Sequence, residues 1–242
     1  MNNLLQRIVA NLSHPEHGWK TTHFWGPIAN WGIVLSAVYD AFYKGPEIIN
    51  IPMTATLAGY SSLFVRFAWK VKPRNYLLFS CHMFNIIAQV NQLRRAIDYK
   101  LAHEPDAKVK ISNYLRKFCM LGVGIGAIIA SSGKLQNSLT KNTMPDLVRK
   151  FAAHPAGVMT IFFWAPTSKW LLSANNFADL KRDTNKMSLS QQLALTVTGT
   201  IWARWSLVIN PVNYNLSIVN LVLAVSSGYH LVRKIKADYF RN

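Results

Sequence analysis

Residues 23–31, HFWGPIANW, and residues 162–170, FFWAPTSKW, decide the fold. Laid over each other at a spacing of 139 positions, they pair Trp25 with Trp164, Pro27 with Pro166 and Trp31 with Trp170, and Asp40 then falls on Asp179. After a gap of one residue the spacing becomes 138. Arg66 pairs with Arg204, Pro73 with Pro211, Asn75 with Asn213, Tyr76 with Tyr214 and Arg95 with Arg233. Three Trp or Pro pairs within seven residues, continued by an ordered series, mark an internal duplication or a fusion of two homologous subunits. The chain divides into a first three-helix unit at 1–100, a connector at 101–143 and a second three-helix unit at 144–242.

The 242 residues carry 27 Lys and Arg against 10 Asp and Glu, a net charge of +17, and half of them are apolar. Such a basic balance suits a nucleic-acid binder as well as a membrane protein. The distribution separates the two. Charge is gathered into short stretches: Lys70 to Arg74, Arg94 to Lys117, Lys134 to Lys150, Lys181 to Lys186 and Arg233 to Arg241. Between them lie nearly uncharged apolar runs close to the roughly 20 helical residues that a bilayer core requires, with Trp and Tyr at several ends, where amphipathic rings suit the headgroup layer. A soluble basic domain would instead alternate charged and apolar residues at helical period.

Seven spans are predicted, at about 24–43, 53–71, 75–93, 115–132, 161–179, 190–209 and 213–232. The third is polar for a span, holding His82, Asn85, Gln89 and Asn91. Such groups are costly in lipid, so they should face a bundle interior or a wet cavity. Three spans leave the chain on the side opposite to its start. The extra span at 115–132, rich in small residues, therefore restores the original direction and makes the two units parallel, a 3+1+3 layout. The stretch Asn2 to Leu12 reads as a short amphipathic helix lying on the membrane surface. Cys81 and Cys119 offer neither a disulfide framework nor a zinc spacing, and read as small apolar core residues. No metal cluster, nucleophile triad or phosphate-cradling loop is present, so no cofactor and no enzyme activity are expected.

The same stretches resemble the mitochondrial pyruvate carrier family. THFWGPIANWG (22–32), GPEII (45–49) and FVRFAWKVKPRNYLLFSCH (64–82) are similar to its first subunit. HPAG (154–157), FFWAPTSKW (162–170), TGTIWARWSLVINPVNY (198–214) and SIVN (217–220) are similar to its second. The connector at 101–143 has no counterpart in either. The resemblance implies an all-α integral membrane fold of two SemiSWEET/SWEET-like three-helix bundles and transport of pyruvate with a proton across the mitochondrial inner membrane. It also implies an N-terminus towards the matrix and one chain doing the work of a heterodimer.

A monocarboxylate carrier needs a cation for the carboxylate, donors to orient it, an apolar wall and a titratable group. Lys169, alone in an uncharged stretch, either pairs with the substrate carboxylate or snorkels to the interface. His82 either donates to the carboxylate and carries the coupled proton, or is a neutral histidine satisfied by a neighbouring helix. Equivalent positions of a pseudo-twofold bundle face one axis, and the spacing makes Lys169 the mate of Asn30, His82 the mate of Asn220 and Phe64 the mate of Trp202. The site is thus expected to be ringed by Asn30, Lys169, His82, Asn220, Phe64 and Trp202, and matching family positions contribute to its substrate site, as the resemblance implies. Asn85, one turn beyond His82, is a further donor. Phe64 and Trp202 form an apolar wall or simply pack helices. Pro27 and Pro166 are helix-start residues or hinges, Arg66 and Arg204 are interfacial anchors, and Asp40 and Asp179 pair with nearby Lys or Arg as a gate. Rival readings are a carrier of neutral solutes, disfavoured by an unpaired midplane cation, and a membrane scaffold without transport.

Overall fold

The computed structural model describes residues 13–15, 18–72, 74–141 and 143–240. All regular structure among them is helical: α1 Thr22–Tyr43, α2 Ile51–Lys70, α3 Tyr76–His103, α4 Ala107–Leu139, α5 Asp146–Ala153, α6 Ile161–Ala178, α7 Leu189–Trp205 and α8 Tyr214–Tyr239, with short 3₁₀ turns at Pro46–Ile48 and Thr184–Lys186. The expected helix at Asn2 to Leu12 and the Pro73 member of its repeat pair lie outside the described residues.

Local chemistry places the helix starts, and the repeat spacing relates them. Asn50 caps α2 by accepting from Met53 N at 3.1 Å, and Ser188, 138 positions on, caps α7 by accepting from Gln191 N at 3.0 Å. Asn75 caps α3 at Leu78 N, 2.8 Å, and Asn213 caps α8 at Leu216 N, 2.9 Å. Each such cap satisfies a backbone donor that the first helical turn leaves orphaned.

The duplicated prolines are explained by the same asparagines. Proline has no N–H, so Pro27 inside α1 leaves the carbonyl of His23, four residues earlier, without its helical partner, and Pro166 inside α6 does the same to Phe162. A freed carbonyl must find another donor. Asn75 Nδ2 donates to His23 O at 3.1 Å, and Asn213 Nδ2 donates to Phe162 O at 2.6 Å. Each asparagine therefore starts the third helix of its unit with one side-chain end and clamps the first helix with the other. Both prolines sit in the second turn of their helix, four residues after a carbonyl that an asparagine of the third helix pins.

Six helices close into a ring in the order α1, α3, α2, α6, α8, α7 and back to α1. Advancing by the repeat spacing exchanges α1 with α6, α2 with α7 and α3 with α8, and leaves the ring order unchanged. The start of α1 meets the end of α7, where Trp202 Nε1 donates to Gly26 O at 3.0 Å. The start of α6 meets the end of α2, with Phe67 and Phe162 at 5.2 Å between ring centroids. Each unit thus sets the start of its first helix beside the end of the other unit's second helix. The fourth helix lies outside the ring. A small cluster of Ile49, Ile51, Ala96, Ala107 and Ile111 fastens its start to α3, and Phe118 lies against Gly59 of α2, where a Cβ would come within 2.6 Å of the phenylalanine ring.

Alongside its apolar core the ring buries many polar side chains and exposes large apolar ones. Asn30, His82, Asn85, Gln89, Lys169 and Asn220 are buried, whereas Phe42, Ile87, Leu221 and Val225 are exposed. A water-soluble domain does not bury its polar residues while presenting continuous apolar surface; hydrocarbon around the ring accounts for both. By length and hydropathy alone, two described helices qualify as membrane spans, α4 and α8. The other five predicted spans correspond to α1, α2, α3, α6 and α7, whose mean hydropathy falls short because one face of each turns polar groups inward, and α7 has only 17 residues. Two boundaries also differ: α3 continues to His103 rather than ending near residue 93, and α4 extends well beyond 115–132 at both ends. Charged ends carry those helices past the apolar limits that the sequence displays. Cys81 is buried as expected, but Cys119 is exposed on α4.

Candidate functional site

Within the ring the side chains of three helices, α2, α7 and α8, converge on Lys169. The residue lies on α6 and is 1% exposed. Its Nζ donates to Asn220 Oδ1 on α8 at 2.7 Å, and the asparagine Nδ2 is tied back to Leu216 O at 2.6 Å. The ammonium also stands 5.6, 5.4 and 5.4 Å from the ring centroids of Tyr60, Phe64 and Trp202. Aromatic faces attract a cation, most strongly where water is absent. Among the described residues no carboxylate lies within ion-pair distance of Lys169. A buried cation with one neutral acceptor and three aromatic faces lacks a counter-charge, and such a group is a functional candidate by default.

His82 of α3 faces the same space. Phe64 lies against both Lys169 and His82, 5.0 Å from the imidazole centroid. One imidazole nitrogen, Nδ1, lies 3.1 Å from Ser61 Oγ, and the other, Nε2, lies 3.4 Å from Asn30 Nδ2. Thr198 donates its hydroxyl to Asn30 Oδ1, so Asn30 ties α7 of the second unit to α3 of the first. Asn85 Nδ2 donates to Ser61 Oγ at 2.7 Å, and Gln89 extends the chain to Asn85 Oδ1 at 3.1 Å. The structure thus brings Lys169, His82, Asn30, Asn220, Phe64, Trp202 and Asn85 into one buried cluster. Arg66 and Arg204 are exposed and take no part.

Three further residues join the cluster that the sequence reading did not single out. Tyr60 is 2% exposed, lies edge-on to His82 at 5.5 Å and has a buried hydroxyl without a hydrogen-bond partner. Its mate at spacing 138 is Thr198, which does have one. Ser61 joins His82 and Asn85 as described. Both pairs, Tyr60 with Thr198 and Ser61 with Gly199, lie about one helical turn before Phe64 and Trp202, so the same spacing arithmetic would have found them.

The cluster is flanked at its two ends by packing contacts of different kinds. Towards the starts of α1 and α6 they are aromatic: Trp205 packs on Gly26 and lies 5.7 Å from the His23 ring, beside the Phe67–Phe162 pair. Towards the other end they are polar. Asn50 donates to Asp179 across the units, Ser190 donates to Asp40 at 2.9 Å, and Arg182 donates to Ile48 O at 3.0 Å. Gln92 and His230, a repeat pair, both donate to first-helix carbonyls there if His230 is protonated at Nε2: Ala37 O at 2.7 Å and Asn176 O at 2.8 Å. Of the two pairings with Lys or Arg expected at Asp40 and Asp179, one is formed. Asp179 pairs with Arg182 at 3.2 Å, but Asp40 takes a serine, because Arg95 is spent on the backbone carbonyls of Asp40 and Lys44. Beyond these contacts lies a charged recess of about 560 Å³ bounded by Lys100, Glu104, Asp179, Arg182 and Lys186. There the Lys100 ammonium, 2.6 Å from Glu104, holds that carboxyl below its usual range.

A ring of six helices with exposed apolar side chains outside and a buried, asymmetric polar cluster within suits a small-solute carrier. The family model for mitochondrial pyruvate carriers matches residues 4–118 and matches again at residues 143–242, and the chain belongs to that family. Mitochondrial pyruvate carrier 4 of Arabidopsis thaliana is 55% identical over 86 residues, 36% of this chain and 80% of the relative. Mitochondrial pyruvate carrier 1 of Mus musculus is 52% identical over 87 residues, 36% of this chain and 79% of the relative. The human protein of that name is 49% identical over 87 residues, again 36% and 79%. Each relative therefore corresponds to about one repeat unit of this chain.

Proposed function

We propose that this chain carries pyruvate together with a proton across the mitochondrial inner membrane, by alternating access to the central site. The observation that carries the proposal is the buried Lys169 ammonium, which has aromatic faces and a neutral amide around it and no anion. An arriving carboxylate supplies the missing charge, and a charge-assisted bond formed in a dry site is strong. Asn220, Asn30 and Asn85 orient the carboxylate and keto oxygens, while Phe64 and Trp202 meet the methyl end. His82, whose Nε2 accepts from the Asn30 amide here, is in this reading the proton-coupling group, taking its proton when that contact opens. A neutral solute would leave the ammonium unbalanced, which disfavours a sugar-type carrier.

In this reading residues 1–100 act as the first-subunit-like unit, 144–242 as the second-subunit-like unit, and 101–143 supply the linker span that keeps them parallel, seven spans in all. A single chain then does the work of two subunits. Rocking of one unit against the other breaks either the aromatic or the polar contacts while the site stays in place. The test is uptake of labelled pyruvate by proteoliposomes under an imposed pH gradient. Lys169→Met abolishes uptake, and His82→Gln removes its dependence on the gradient. Wild-type rates in Lys169→Met would overturn the proposal.

A further inference from the structure

The ring contains two seams between its units, α2 against α6 and α1 against α7, related by the repeat. The same positions line the outer groove of each. Thr56, Gly59, Leu63, Ser168 and Leu171 at the first seam correspond to Ala194, Val197, Ile201, Ala29 and Gly32 at the second. At the first seam α4 lies across the groove, with Phe118 on Gly59 and Tyr114 donating to Pro52 O at 3.2 Å, and the space left is about 180 Å³. At the second seam nothing in the described chain covers the groove, and the space is about 500 Å³. The seams also differ in polarity. Asn175 donates to Thr56 Oγ1 at 2.9 Å across the first. Its counterparts at the second are Ser36, whose hydroxyl turns to Ile33 O of its own helix, and Ala194.

We propose that the α1/α7 groove is a binding site for an anionic phospholipid, one acyl chain of which takes the place that α4 takes at the opposite seam. The groove runs from Trp25 to Tyr39, a rise of about 21 Å along the helix, which is a large part of a hydrocarbon core roughly 30 Å thick. Its floor of Ala29, Gly32 and Ala194 is small and apolar, so it admits a chain narrower than a helix. At its Tyr39 end the Tyr39 and Tyr43 rings, tilted against each other with centroids 4.9 Å apart, lead to exposed Lys44, beside the Arg95 guanidinium, which donates to Lys44 O at 2.8 Å. Aromatic rings and cations in this order match the passage from acyl region to anionic headgroup. A second copy of the chain is a poorer occupant. Its α4 already packs on α2 of its own ring, and reaching the opposite seam of another copy would require a head-to-tail rather than a self-complementary contact.

Native mass spectrometry of the full chain, released from liposomes containing equal phosphatidylglycerol and phosphatidylcholine, tests this directly. Wild type retains phosphatidylglycerol several-fold over phosphatidylcholine. Val197→Trp and Leu193→Trp, which fill the groove at two heights, each lose most of that adduct, and Lys44→Gln shifts retention towards phosphatidylcholine. Leu221→Trp, an exposed apolar position on α8 outside the groove, keeps the wild-type pattern. Retention at the wild-type level in both groove-filling variants, equal loss in Leu221→Trp, or no preference for phosphatidylglycerol in wild type would overturn the proposal. None of these outcomes depends on pyruvate transport, so the lipid site stands or falls apart from the proposed function.

Discussion

Replacing Asn213 by alanine removes two bonds at once: the cap on Leu216 N at 2.9 Å and the clamp on Phe162 O at 2.6 Å. Loss of an asparagine cap costs about 1 kcal/mol, and leaving a buried carbonyl unpaired costs about 1–3 kcal/mol more. The sum, roughly 2–4 kcal/mol, corresponds to a fall of about 4–16 °C in Tm for a chain of this size. The carbonyl half of that loss exists only because Pro166 withholds an N–H. Pro166→Ala supplies the missing donor from within α6, so in the Asn213→Ala background it should recover about 1–2 kcal/mol that it does not contribute alone. Thermal unfolding of the four proteins of this cycle in detergent, followed by tryptophan fluorescence, measures the coupling. Additivity within about 0.5 kcal/mol would show that the asparagine and the proline are independent and that the clamp does not explain why both are duplicated.

Tyr60→Phe should leave the empty protein as stable as wild type or slightly more so, since the hydroxyl has no partner to lose. If that hydroxyl donates to bound carboxylate, the apparent KM for pyruvate rises about tenfold, the worth of a hydrogen bond to a charged group; an unchanged KM with lower stability would contradict this. Gly199→Val places a Cβ within 2.9 Å of Ala224 N and Asn220 O, backbone atoms that cannot turn aside. It should lower stability by about 1–3 kcal/mol and displace Asn220 from Lys169, whereas Gly122→Val, which meets open space, should change neither Tm nor uptake.

The repeat made the ring legible before any coordinates, because duplicated Trp, Pro and Asn residues survive where they answer a geometric demand. Pro27 and Asn75 are separate motifs in the sequence and one clamp in the structure, and only the freed carbonyl of His23 joins them. The site was legible through spacing arithmetic wherever a charge or amide drew attention, as at Lys169 and Asn220. Tyr60 and Thr198 escaped because an aromatic ring and a hydroxyl are ordinary residues of a packed helix and nothing local marks them. Composition measured the spans poorly for a related reason: inward polar faces, such as Asn85, Gln89 and Gln92 on α3, lower the hydropathy of helices that the ring nevertheless requires. The partner of Asp40 was not readable either, since the competition between its carboxylate and backbone carbonyls for Arg95 is settled only by three-dimensional distance.

Calorimetric titration of the purified chain in lipid nanodiscs, with pyruvate and with its neutral amide, pyruvamide, separates charge recognition from shape. Wild type should bind pyruvate and fail to bind pyruvamide, and Lys169→Met should bind neither. Comparable heats and affinities for the acid and the amide in wild type, or undiminished pyruvate binding by Lys169→Met, would mean that the enclosed ammonium is not what holds the substrate.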